Sequence, residues 1–157
     1  MPTIQLSTFI AAPIGICFDL SRSIDLHQIS TVDTGERAVG GKMSGLINKG
    51  ETVTWKARHF GIWQSLTSQI TDMQPPYSFS DEMVKGAFHS FRHDHLFREK
   101  NGGTLMEDRF SYQSPLGLLG RLADILFLKS YMTRLLEKRN EVIKEHAESG
   151  KWKAVIP

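Results

Sequence analysis

A single cysteine, Cys17, is all the thiol chemistry this chain of 157 residues carries. One cysteine excludes an intrachain disulfide framework. Its setting in Ile16-Cys17-Phe18 predicts an inert buried thiol, not a nucleophile. An excess of one charge is missing too. Lys and Arg total 19 against 17 Asp and Glu, a net of +2, and the basic residues are scattered, which argues against a nucleic-acid partner. No long hydrophobic run occurs. The longest apolar stretch, Leu116 to Leu128, contains Arg121 and Asp124 and is too short to cross a bilayer, so no stable membrane insertion is expected. The N-terminus lacks a basic region followed by an apolar run, so no signal peptide is expected and a cytoplasmic location is the default. What is present, 40% hydrophobic and 23% charged residues, suits one ordinary globular domain. That domain is expected over residues 1–148, with 149–157 a loosely held tail in which Trp152 could pack.

Along the chain, Thr3 to Ala11 reads as a strand ending at Ala12-Pro13, and proline suits the first turn of a helix, where its missing N–H costs nothing. Pro13 to Leu20 then predicts a short helix. A second helix begins at Ser23-Ile24-Asp25-Leu26-His27, with Ser23 as its cap. Gly35, Gly40, Gly41 and Gly45 mark a looped passage around a weak strand near Lys42 to Leu46. Alternating patterns follow over Glu51–Phe60, Trp63–Met73, Tyr77–Val84, Phe88–Glu99 and Thr104–Gln113. Lys100-Asn101-Gly102-Gly103 supplies the turn between the last two. Ser114-Pro115 opens a helix reaching about His146, with an apolar stripe at helical period. Thirty residues of helix span about 45 Å, enough to cross a sheet. The order is one strand, two short helices, six antiparallel strands and one long helix. A curved antiparallel sheet with one apolar face needs a cover, and only that helix is large enough.

The most informative segment is Phe91-Arg92-His93-Asp94-His95-Leu96-Phe97. Side chains alternate across a strand, so Phe91, His93, His95 and Phe97 share a face, while Arg92 and Asp94 take the other. The imidazoles stand about 6.5–7 Å apart at their backbones. Asp108, on the hairpin partner with Met106, Phe110 and Tyr112, is expected to face them, and His59 and Asp81 are further candidates. Three readings stay open: a hydrogen-bonded network that orders the sheet, a group that orients a ligand or moves protons, and a metal site, for which a bare H-x-H is weak support. Trp55 and His59 share the inward face of their strand. His27 reads as a surface histidine.

Ile10-Ala11-Ala12-Pro13 followed by Cys17-Phe18-Asp19 resembles a pattern of the START-like superfamily, also called the SRPBCC or polyketide cyclase/dehydrase-like group. In that pattern an apolar strand ends in Ala-Pro, and an aliphatic residue and an aromatic follow after three variable positions. Ser114-Pro115-Leu116-Gly117 also resembles the superfamily's approach to its final helix. The likeness covers nearly the whole chain. It implies an α+β helix-grip fold, in which a curved antiparallel sheet of about seven strands surrounds a long C-terminal helix, with two short helices after strand 1. It also implies a container for lipids, quinones, steroids or polyketides, in some members with cyclase chemistry. The compact glycine-rich loop of the plant-allergen type is absent between Gly35 and Gly50.

The function expected from these residues is binding of a small, largely apolar molecule between sheet and helix, with no cofactor. Trp55, Phe91, Phe97, Met106, Phe110, Leu122 and Leu126 would supply contact area. His59, Asp81, His93, His95 and Asp108 would orient a polar group, and Tyr112 could offer a hydroxyl. Two alternatives remain: a cyclase, dehydratase or hydrolase using a His–Asp pair, and a regulatory protein acting through its apolar helix. Leu116 to Leu128 holds more apolar residues than one helix face can bury, which leaves homodimerisation open.

Overall fold

The computed structural model describes residues 1–157. Seven strands form one antiparallel sheet: β1 (Thr3–Ile10), β2 (Arg37–Gly41), β3 (Thr52–His59), β4 (Ile62–Gln74), β5 (Ser78–Lys85), β6 (Ser90–Lys100) and β7 (Gly103–Gln113). Their spatial order is β1-β7-β6-β5-β4-β3-β2, a six-strand meander closed on one side by the first strand. Between β1 and β2 lie α1 (Ile14–Ser21) and α2 (Ile24–Ser30). Pro13 precedes α1 in an extended conformation, and the Ser23 hydroxyl accepts from the Leu26 N–H at 3.1 Å to cap α2. This is the helix-grip fold expected from the element order.

Two local expectations need correcting. The weak strand lies at Arg37–Gly41, not at Lys42 to Leu46. Gly41 explains the difference: its φ is +66°, and a Cβ there would fall 2.2 Å from the Thr52 carbonyl oxygen, so the chain turns at this residue. The last helix also begins later and runs further than the sequence suggests. It comprises α3 (Leu118–Ala123), a widened π-type stretch Asp124–Leu128, and α4 (Lys129–Ser149). Backbone angles stay helical through both junctions, so this is one rod with a wide turn and no break. Gly120 lies beneath the connection from β7, where a Cβ would meet the Pro115 carbonyl oxygen at 2.2 Å. Gly150, with φ +82°, ends the rod.

The segment after the helix is packed, contrary to the expected loose tail. Lys151–Ala154 makes a tight helical turn, and Trp152, Val155 and Ile156 lie against the main core. Their spacing of three and four residues brings all three to one side. No helix is long and apolar enough to cross a membrane.

The core has two parts. One gathers Phe18, Leu20 and Leu26 of the short helices with Phe79, Phe97 and Met106 of the sheet and Ile143 and Ala147 of α4. The other joins Ile4, Phe91, Phe110 and Tyr112 to Leu136. Along α4, Arg139 and Asn140 fall between Leu136 and Ile143 on the same buried face. A polar layer therefore crosses the interior between two apolar ones.

Candidate functional site

Strand register brings the polar layer together. Asp81 of β5 lies directly opposite His93 of β6, and His95 lies opposite both Phe79 of β5 and Asp108 of β7. The inward alternation of β6 places both histidines beneath α4, and both are buried. Their rings lie 3.8 Å apart between centroids, and Phe79 stacks on His95 at 4.0 Å.

Asp108 is the hub. Its Oδ1 lies 2.9 Å from His93 Nε2, 3.4 Å from His95 Nδ1 and 3.5 Å from Arg139, and its Oδ2 accepts from the Asn140 amide at 2.7 Å. Burial pushes its carboxyl up, but the hydrogen bond from His93 and the Arg139 charge more than reverse this, leaving it well below the usual carboxylate range. Asp81 follows the same logic: burial raises it, and the His95 hydrogen bond and nearby positive groups bring it below its ordinary value. Burial, joined by His95 beside it, holds His93 below the usual histidine range.

These partners fix the protons. An ionised Asp108 can only accept, so His93 donates from Nε2 and its Nδ1 is a bare lone pair. Arg139 donates to His95 Nδ1 at 3.3 Å and to the Ser21 carbonyl at 3.1 Å, so His95 carries its proton on Nε2 and donates it to Asp81 Oδ1 at 2.9 Å. Asp81, His93 and His95 each offer an atom within 4.8 Å of the others, the spacing of a metal-binding group. A metal there would need His95 Nε2 deprotonated and its proton on Nδ1, where Arg139 already donates. The protonation pattern disfavours a metal.

Above this layer lies a cavity of about 370 Å³, and 18 of its 33 lining residues are hydrophobic. Among the residues singled out from sequence, Trp55, His59, Asp81, Phe91, His93, His95 and Phe110 line it. The others lie elsewhere. Phe97 and Met106 are paired across β6 and β7 one layer deeper, in the core with Phe18. Asp108 sits behind the imidazoles and supports them, its side chain 1% exposed. Tyr112 is fully buried in the second core cluster; burial and the Asp124 carboxylate nearby raise its pKa. Leu122 and Leu126, 52% and 66% exposed, are not on the cavity wall as expected but on the outside of the rod. The apolar surplus of this stretch faces outward, from Leu118 and Leu119 ahead of the wide turn to Ile125 within it.

The mouth lies beside the β3–β4 hairpin, since Phe60 is 57% exposed and lines the cavity too. Tyr131 of α4 hydrogen-bonds His59 Nδ1 at 2.6 Å there. Burial lowers the His59 pKa and raises that of Tyr131, so the phenol donates to a neutral ring. His27, expected at the surface, instead packs on Trp55 with ring centroids 4.2 Å apart and hydrogen-bonds Glu36, and both His27 and Glu36 line the cavity.

Sequence reading missed Arg139, Asn140, Phe79 and Glu36. For Arg139 and Asn140 a signal existed: both continue the helical period that links Leu136 to Ile143 and Ala147. They were obscured by the charged run Glu137-Lys138-Arg139-Asn140-Glu141, which looks like a solvated face.

The chain has a helix-grip fold that encloses a cavity, with a buried acid–imidazole–guanidinium layer at one end. No protein-family model and no curated protein matches the chain. Solved structures share its fold. Protein TTHA0849 of Thermus thermophilus superposes with a TM-score of 0.70 at 15% identity, over 90% of this chain and 97% of its own. Ginseng major latex-like protein 151 from Panax ginseng does so at 0.67 and 16%, over 93% and 97%. Protein CV1439 of Chromobacterium violaceum reaches 0.68 at only 8% identity, over 93% and 96%. At such identities the likeness establishes the fold.

Proposed function

We propose that this protein binds a small, largely apolar molecule in the cavity between sheet and α4. The observation that carries the reading is a roughly 370 Å³, largely apolar space with one group of polar side chains, Asp81, His93 and His95, on its floor and a second, His27, Glu36 and His59, toward its mouth. Ligand sites combine these features: apolar walls supply affinity, and a few polar groups set orientation. Lipid, quinone and polyketide-like molecules are the classes such a space suits. The exposed apolar face at Leu118, Leu119, Leu122, Ile125 and Leu126 supports a further element, self-association of two copies.

The test uses N-phenyl-1-naphthylamine, a neutral dye that brightens in apolar surroundings. Saturable binding of one dye per chain is expected. Ser68→Phe, which fills the cavity from β4, should abolish it while circular dichroism stays unchanged. Undiminished binding in that variant would refute the site.

A second reading is favoured by one observation. The Asp108–His93 pair leaves a bare Nδ1 on a cavity-lining ring, the arrangement of an oriented general base. Proton transfer on a bound carbonyl compound would show as deuterium uptake in heavy water, absent in His93→Phe.

A further inference from the structure

Hydrogen-bond accounting at the floor of the cavity restricts what can sit on it. His93 donates to Asp108 through Nε2, and its Nδ1 has no partner. That atom is also not sealed in: Thr71 Oγ1 and Tyr112 Oη are the fully enclosed side-chain polar atoms lacking a partner. Asp81 receives His95 on Oδ1, and its other oxygen has neither a partner nor a seal, with the side chain 18% exposed. The free positions of both residues are therefore acceptors. Both terminal nitrogens of Arg139 are engaged within the network, on Asn140, Asp108, Ser21 and His95. The charges are also unequal: two carboxylates face one guanidinium.

We infer that this end of the cavity receives a head group donating at least two hydrogens, an amine or a vicinal diol on an apolar body, and rejects carboxylates and phosphates. The inference rests on the container reading and adds the chemistry of its cargo. An anionic head would set a third negative charge against Asp81 and leave His93 Nδ1 facing a lone pair. A ketone would offer no donor to either atom. An ammonium supplies three N–H groups and the missing positive charge. A diol supplies two O–H groups without charge.

The experiment displaces N-phenyl-1-naphthylamine from tag-free protein with four ligands of one chain length: decylamine, 1,2-decanediol, 2-decanone and decanoate. Decylamine and the diol should displace the dye at concentrations at least about tenfold below decanoate and decanone, the worth of one charge-assisted hydrogen bond. Asp81→Asn should remove the advantage of decylamine over the ketone while dye affinity persists. If that variant does not fold, the wild-type ranking decides alone. Equal displacement by all four ligands, or a preference for decanoate, would overturn the inference while leaving the container intact. Decylamine ahead of the diol would identify charge as the selector, and the reverse order hydroxyl donation; either supports a donor-headed cargo. Stoichiometric zinc in the purified protein would overturn it, since the acceptors would then be metal ligands. Absence of dye binding would remove the container reading and this inference with it.

Discussion

Asp108→Ala is the sharpest test of the buried layer. The substitution removes two hydrogen bonds, at 2.9 and 2.7 Å, and an ionic contact to Arg139 at 3.5 Å, from a side chain 1% exposed. It leaves Arg139, buried, without its nearest carboxylate, and orphans the His93 and Asn140 donors. Breaking one side of such a buried pair costs about 3–5 kcal/mol. Against about 5–15 kcal/mol for a whole domain, that is a large share. At about 2–4 °C per kcal/mol for a chain of this size, Tm should fall by about 6–20 °C. Arg92→Ala is the control: its contacts to Asp94 and Glu82 are on the outer face and its side chain is 48% exposed, so about 1 kcal/mol or less is at stake. Urea unfolding of both variants, with Asp108→Leu/Arg139→Met added, completes the test. Removing both charges should recover part of the loss, because no uncompensated ion remains. Equal effects of Asp108→Ala and Arg92→Ala would refute the assignment of faces. A double variant no better than the sum of its singles would refute the coupling.

Two further outcomes follow from the same geometry. Because His93 titrates below its unfolded value of 6.5, the unfolded chain binds a proton that the native state refuses as pH drops below about 6.5. Stability should therefore decline on acidification from there down to the folded pKa, by up to about 1.4 kcal/mol per pH unit for this group. The depressed Asp81 and Asp108 act lower: their contribution is present above the ordinary carboxylate range and is lost as pH falls through their folded values. Urea midpoints between pH 7.5 and 5.5 read the histidine effect, and a profile no flatter in His93→Phe would assign it elsewhere. For self-association, sedimentation velocity should show a dimer that Ile125→Ser with Leu126→Ser converts to monomer; a wild-type monomer at high concentration would remove that element of the proposal.

Strands were easy to read because period-two alternation and glycine turns are local properties. The β6 face is the clearest case, since Phe91, His93, His95 and Phe97 needed only their order in the chain. How deep each residue of one face sits was not legible. Phe97 and Phe91 share the face of the histidines, but Phe97 lies under α1 in the core while Phe91 reaches the cavity. That distinction depends on where the short helices plug the curved sheet, which alternation does not encode. The buried side of the rod's first turns was likewise hidden: Gly120 and Asp124 occupy it, not the leucines, and so Leu122 and Leu126 face outward.

The polar layer also sets the space above it. Arg139 and Asn140 stand between α4 and the sheet, braced against Asp108 below and the Ser21 carbonyl beside them. Hydrogen-bonded groups of fixed length hold a helix at a distance that apolar side chains, free to interdigitate, would reduce. On the Ile143 side of this strut, Phe18 and Phe79 fill the space. On the Leu136 side, the next turns bring Met132 and Leu128 over β3 and β4, whose inward positions include the small Ala57 and Ser68. Small residues beneath a helix held off the sheet leave volume unfilled. The cavity is thus a consequence of where the charges were placed, and those same charges form its floor.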